Sequence, residues 1–492
     1  MNLICIISLF YLAIFYFPLV EAIKLAFIEG TVVDTSLLPE LPDLPYIPDE
    51  KEKGKFIYVE QWGTGNGLKA ESPLSTIHDA LELATEGDVI LVGVGKYYES
   101  GSGYCVALTM DVPNVKLVAN PLNPPKSQVI VIPDSGAQNR GLKILADNIV
   151  VDGLTFAGFS SGTIIVGDGP GTTVRNTILK QLNIYAEGDA IVSSYVDPIP
   201  NRPPVIDGML VLNCNIVGKG ETFIGFNCGQ GPCNNVRIEK MTVTGPFEPG
   251  QNVGSGYDGI AFESADNVAI VECTIRTVGA DGIDVKGTRV VVVGSKVDTV
   301  GRNGIKIWNG GDIVSSIVTS TGADAAIVLG SGTYRFVHNT VARTGRDGVS
   351  YVMTVGYDEN DPSGVLHLYN SIFYENAGPI FVSSSYDLMV DGLIVGETLN
   401  NQYFVYGDRN WGPSDVECLD DLNDMKEYFD TESIFFENPY FLPYNFGLQE
   451  LSVGRNNGVV HVEGLERIYS FNNLPRGRPR LGAPDIGAYE RG

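Results

Sequence analysis

Positive charge is scarce in this chain. Its 33 Lys and Arg stand against 59 Asp and Glu, for a net charge of -26. A nucleic-acid binder carries a basic face, so that class is excluded. Histidine is scarcer still, at four. No His lies near Cys228 and Cys233 in sequence, which argues against zinc at that pair. Long apolar runs are also missing. The run from Leu3 to Phe17 falls short of the roughly 20 residues a membrane span needs, and no later stretch is apolar enough. Charged residues make up only 19% while hydrophobic ones reach 44%, which excludes wholesale disorder.

What the chain does have is glycine, 58 residues of 492, together with many Val, Ile and Thr. Glycine without collagen periodicity in such company reads as a turn-rich β protein. At 492 residues the choice lies between two domains and one elongated repeat.

The run Leu3–Phe17 followed by Val20-Glu21-Ala22 reads as a signal peptide over residues 1–22, although no Lys or Arg precedes it. Export to the medium or cell surface is expected, with an uncleaved anchor as the alternative. Residues 23–54 form a spacer rich in Pro and acidic residues, including Pro39, Pro42, Pro45 and Pro48. Six cysteines remain after cleavage. Cys228 and Cys233, in a Gly-rich loop, are spaced to close a small disulfide. Cys214 and Cys273 read as core-facing small hydrophobes.

From residue 55 a strand at Lys55–Val59, a helix start at Ser72–Thr76 and a strand at Val89–Val92 follow in order. Internal repetition then dominates. Asp258-Gly259-Ile260, Asp281-Gly282-Ile283, Asn303-Gly304-Ile305, Asp324-Ala325-Ala326 and Asp347-Gly348-Val349 open five similar segments. Each holds short β-rich runs that cannot fold alone, and stacking the repeats supplies parallel ladders. The period is too short for a propeller, and a leucine-rich signature is absent. The fold expected is all-β, a right-handed parallel β-helix of about 12 coils. It forms a single domain over residues 55–490, with an N-terminal cap at 55–100 and a C-terminal insertion or cap at 400–490.

The repeat separates structure from chemistry. Its first position (Asp258, Asp281, Asn303, Asp324, Asp347) recurs in every coil and reads as a turn residue bonding its own backbone. Third and fifth positions are apolar and face inward. Fourth positions (Ala261, Asp284, Lys306, Ile327, Ser350) and sixth positions (Glu263, Lys286, Trp308, Leu329, Val352) face outward. Asp284 and Lys306 are thus expected to stack on adjoining coils.

That set suits β-elimination on a uronic acid. A calcium ion on Asp258, Asp281, Asp284 and Glu263 neutralises the sugar carboxylate, and Lys306 removes the proton at ring carbon 5. Arg302 and Lys286 are candidates to hold substrate carboxylates, and Trp308 to stack on a sugar ring. The bland reading is a surface ion pair above plain turns.

The segments Phe56–Val59, Ser72–Ala84 and Glu86–Val92 resemble the N-terminal cap of the pectate-lyase-like β-helix superfamily. Asn438–Phe441 and Pro484–Glu490 resemble its C-terminal closure. Asp258, Ala280-Asp281-Gly282-Ile283-Asp284 and Asn303-Gly304-Ile305-Lys306 resemble the calcium-dependent pectate lyases with an aspartate cluster and a lysine base. The resemblance implies calcium on Asp258, Asp281 and Asp284 and makes Lys306 the base. Ala280 stands where that family has a further Asp. The resemblance implies a polysaccharide lyase acting on an acidic polysaccharide; separately, a monomer is expected.

Gly-His-Gly, Arg-Ile-Lys and Asp-Pro-His-Glu segments are all missing, which disfavours polygalacturonases and mannuronan epimerases. The alternative from another class is a non-catalytic envelope or adhesin-type rod that binds glycans or acts as a spacer.

Overall fold

The run Val290–Val293 has no hydrogen-bonding partner inside its own repeat. Its backbone groups are met instead by the repeats on either side. This pattern is general in the computed structural model, which describes residues 54–383 apart from short stretches, the longest being 194–204 and 357–363. Beyond these it describes only the strands Thr398–Leu399, Gln402–Phe404 and Ile434–Phe435. The expected signal, the spacer up to residue 53 and the segments Asn438–Phe441 and Pro484–Glu490 lie outside the described residues.

The strands form two parallel sheets, one of 20 strands and one of 13. Long strands such as Ile260–Val271 carry a register shift between Phe262 and Ala265 and serve two sides of a coil. The smaller sheet, with Thr274–Arg276 and Lys296–Val300, closes the third side. The result is a parallel β-helix.

Strand alternation fills its interior. Ile260, Ile283, Ile305 and Ile327 stack in register, as do Phe262, Val285, Ile307 and Leu329. From the facing sheet come Val243, Ile275, Val297 and Val318, all but completely buried. Burying side chains of this size stabilises by about 1.5–3 kcal/mol each relative to exposure.

The N-terminal strand is Phe56–Val59, and the helix is Ile77–Leu83 with Thr76 as its N-cap, its side chain accepting from Asp79 N. The buried Glu99 carboxylate accepts from the N–H groups of Ile77 and His78 at 2.7 and 3.0 Å, satisfying two more donors of the first turn. Ile77, Ala80 and Leu81 pack into the open end of the stack.

Cys228 and Cys233 form a disulfide, and Cys214 and Cys273 are buried free thiols. The column continuing from Cys273 is polar. Cys273 N donates to Ser295 Oγ, Ser295 N to Ser316 Oγ, Ser316 N to Asn339 Oδ1, and Asn339 N to Ser371 Oγ. His338, beside this column, has φ 54 and is fully buried.

One corner of the helix carries an asparagine column outside the five Asp/Asn repeat heads. Asn148, Asn176, Asn235 and Asn267 all have φ near 60°, which Asn tolerates better than most residues. Asn176 Nδ2 donates to Asn148 Oδ1, and Asn267 Nδ2 to Asn235 Oδ1, each at 2.8 Å.

Two expectations need correcting. The Asp/Asn column at the head of each repeat does not bond its own turn. Asp258 Oδ1 accepts from Asp281 N (2.9 Å), Asp281 Oδ1 from Asn303 N (3.0 Å), and Asn303 Oδ1 from Ala325 N (2.9 Å). These side chains are rungs between coils. The glycine that follows is required by space: a Cβ on Gly282 would lie 2.3 Å from Val297 Cγ1 and 2.7 Å from Gly304 O.

The second correction is register. Ala325, not Asp324, continues the rung column, so Lys306 pairs with Val328 and Ile327 faces inward. On the next coil Met353 opposes Ile327 and Thr354 opposes Val328. Asp347-Gly348-Val349 lies outside the described residues.

Candidate functional site

Asp284 and Lys306 occupy paired positions on adjoining strands, as alternation predicts, with Ala261 opposite Asp284 on the coil before. Outward here does not mean exposed. Asp258, Asp281 and Asp284 are 8%, 2% and 8% exposed. Lys306 keeps only a tenth of its side chain in solvent. Four ionisable groups are therefore collected almost out of water.

Lys306 Nζ stands 3.6 Å from Asp281 Oδ2 and 3.6 Å from Asp284 Oδ2. Asn303 holds the other oxygen of Asp281 with both its backbone N–H and its amide Nδ2. Trp308 Nε1 donates to Asp284 Oδ1 at 2.9 Å. The Trp308 ring lies 4.8 Å from Lys306 Nζ and 6.0 Å from Lys286 Nζ, inside cation–π range of both. Lys286 is in turn ion-paired with Glu263, at a more exposed position.

The electrostatics follow from burial and crowding. Burial, with the charges of Asp281 and Asp284, pushes the Asp258 carboxyl up to about 7, against the pull of the Asp281 N–H and Lys306. Burial also raises Asp284, and Asp281 adds to it, while Lys306, Trp308 and Lys286 oppose. Burial works against the Lys286 charge, but the hydrogen bond and charge of Glu263 outweigh it, so its ammonium is held above the usual range. Shifted carboxyls gathered in one place mark a candidate site.

Seven of the eight residues singled out in the sequence thus fall into one cluster with two parts. Asp258, Asp281, Asp284, Lys306 and Trp308 form the buried part, and Glu263 with Lys286 its rim. Arg302 sits on the turn before Asn303, where its N–H donates to Ala280 O at 3.0 Å. Asn303, which orients Asp281, is a site residue that the outward-position reading does not find. Its place in the Asp/Asn column was the available signal.

The resemblance implies a calcium ion on Asp258, Asp281 and Asp284, and each of these carboxylates already has partners. Asp258 Oδ1 and Asp281 Oδ1 are engaged by N–H groups of the following coil, and the cation beside Asp281 Oδ2 and Asp284 Oδ2 is the Lys306 ammonium. Among the described residues, no three acidic, His or Cys side chains are arranged to close on a metal ion. As they stand these carboxylates serve an ammonium and two backbone donors, and the set does not fit a calcium ion.

The family described as "Right handed beta helix region" matches residues 230–395. No curated protein matches the sequence. Among solved structures, the chain is similar to pectate lyase Pel9A at 13% identity and a TM-score of 0.44, covering 89% of this chain and 97% of that one. It is similar to a rhamnogalacturonan lyase at 14% identity and 0.45, covering 71% and 87%. It is also similar to the A-module of an Azotobacter vinelandii mannuronan C-5 epimerase at 16% and 0.42, covering 62% and 92%. At such identities and scores no activity transfers. Coil register and the matched region together establish the architecture: the protein is a right-handed parallel β-helix.

Proposed function

We propose that the protein acts on an acidic, uronate-containing polysaccharide by β-elimination at the Asp281–Asp284–Lys306 cluster. One observation carries this reading: the Lys306 amine is set between the rung carboxylate of Asp281 and the nearly buried carboxylate of Asp284, and Asp284 and Lys306 stand at outward positions where coil packing requires neither charge. Lys306, after releasing its ammonium proton to solvent, takes the proton from ring carbon 5 as that bond breaks, and the electron pair passes into the adjoining carboxylate as an enolate. As the enolate collapses, the pair forms the double bond between carbons 5 and 4 while the bond from carbon 4 to the glycosidic oxygen breaks. That oxygen leaves with its bonding electrons and takes up a proton from solvent. Lys286 and Arg302 are the proposed partners of substrate carboxylates, and Trp308 is the aromatic wall. Export as a monomer is part of the same proposal, and the Cys228–Cys233 disulfide supports passage through an oxidising compartment.

A second reading is favoured by the same contacts. Lys306 already has two carboxylate partners, which is what a non-catalytic glycan-binding rod or spacer needs to satisfy buried charge.

The test is ultraviolet absorbance of unsaturated uronate product on pectate, alginate and glycosaminoglycans, with calcium and with chelator. Wild type is compared with Lys306→Ala and Lys306→Arg. Product lost in both variants supports the amine as base. Product retained with Arg assigns Lys306 a charge role only. Loss with chelator would overturn the metal-free step proposed here. Absence of product on every polymer leaves the binding rod.

A further inference from the structure

Exposed apolar side chains are not spread along this rod. Among the described residues all seven large ones lie in the first coils: Phe56, Trp62, Leu68, Leu83, Val94, Tyr98 and Leu122. Trp62 is 82% exposed and Leu122 88% exposed. Trp62, Val94 and Leu122 follow strands that pair in successive coils, Val59 with Val92 and Val92 with Ala119, so they share one corner of the stack. Trp62 has φ 69, which is strained for a bulky side chain and holds the indole in solvent. A terminal coil that ends a solenoid is expected to turn a polar face outward. This end does the opposite, and such a patch marks a surface to be covered.

The chain itself carries a matching segment immediately before this end. Residues 38–49 read Leu38-Pro39-Glu40, Leu41-Pro42-Asp43, Leu44-Pro45-Tyr46, Ile47-Pro48-Asp49, four tandem triplets. A polyproline II helix has three residues per turn. In that conformation Leu38, Leu41, Leu44 and Ile47 share one face, the prolines a second, and mostly acidic residues the third. Four turns at about 3.1 Å per residue reach about 37 Å. The join is short: Asp49 is five residues from Gly54, whose N–H is fixed to Gly87 O at 3.0 Å. Phe56 and Leu83 flank that entry, since Lys55 Nζ donates to Leu83 O.

We propose that Leu38–Asp49 docks as a polyproline II strap on the exposed apolar residues at the N-terminal end, with its Leu/Ile face on Trp62 and its neighbours. Pre-organised polyproline segments dock on aromatic surfaces in this way. The acidic face stays in water. The strap covers the end of the stack that the helix Ile77–Leu83 leaves apolar.

The experiment uses the full chain and reads tryptophan emission and its quenching by acrylamide. The Trp62 contribution is isolated by difference against Trp62→Phe. Leu41→Glu/Leu44→Glu is expected to shift the Trp62 emission to the red and raise its quenching. Replacing Pro39, Pro42 and Pro45 by Ala is expected to act in the same direction, whereas Glu40→Ala/Asp43→Ala, on the solvent face, leaves both readings unchanged. The melting temperature of each variant is read alongside, so that a change in folding is told apart from a change in Trp62 exposure. A Trp62 that is fully quenched in wild type and indifferent to the Leu→Glu pair overturns the proposal. So does shielding of Trp62 that disappears on dilution, which assigns the patch to a second copy.

Discussion

Trp308 Nε1 donates to Asp284 Oδ1 at 2.9 Å across one coil. The same ring lies 4.8 Å from the Lys306 amine, so one side chain touches both members of the central ion pair. Trp308→Phe keeps a ring face and removes the donor. A hydrogen bond to a charged acceptor contributes about 1.5–3 kcal/mol, and partial exposure lowers this. A loss of about 1–2 kcal/mol in denaturant unfolding is expected. Trp308→Leu removes the ring face as well and is expected to cost more. Equal losses in the two variants would remove the cation–π contribution from this account.

Lys306 is the cation between Asp281 and Asp284, both nearly out of water. Removing one partner of a buried pair leaves charge uncompensated and costs about 3–5 kcal/mol. Because a tenth of the pair remains exposed, Lys306→Met is expected near the lower end, about 3 kcal/mol. Adding Asp284→Asn is expected to recover part of it, since the two residues are coupled. Urea unfolding of the two single variants and the double variant measures that coupling. This holds whether or not the cluster is catalytic.

Asp258 makes stability depend on pH. Its carboxyl, ordinarily near 3.8, is pushed up to about 7 by burial first and then by Asp281 and Asp284. The folded state therefore binds this proton more tightly than the unfolded chain. Its contribution is full below about pH 3.8, declines as pH rises toward 7, and is lost above. Asp258→Asn keeps an oxygen for the Asp281 N–H but cannot ionise. The variant's melting temperature relative to wild type is expected to rise between pH 4 and 7 and then level off, by about 1–3 °C. A difference that does not change with pH refutes the assignment.

Stacking was legible because the repeat fixes alternation: Ile260, Ile283 and Ile305 face in, so Asp284 and Lys306 had to meet on the outer side. The disulfide was legible from spacing alone. Less legible was burial of the outward side chains, because Asp284 is covered by packing that no local period encodes. Register beyond Lys306 was misplaced because Asp324 imitates the column while Ala325 occupies it. The rung role of Asp258 was missed for a similar reason: in sequence, Asp-Gly looks alike whether the carboxylate caps its own turn or reaches the coil above.

Gly282 shows how sharply the coil dictates sequence beside the site. A methyl group there would meet Val297 Cγ1 at 2.3 Å and Gly304 O at 2.7 Å, the second being backbone that cannot swing aside. Overpacking a tight core costs about 1–3 kcal/mol, and a backbone neighbour puts Gly282→Ala at the upper end or beyond. Asp281 and Ile283 flank this residue, so the strain also displaces the carboxylate beside Lys306. Val297→Ala alone costs its own burial. In the double variant the first clash is relieved and the second persists, so coupling of the two changes is expected to be favourable but incomplete. Unfolding free energies of the four proteins give that term. Full recovery in the double variant would show that Val297 alone requires the glycine, and the Gly304 carbonyl would then have no part in it.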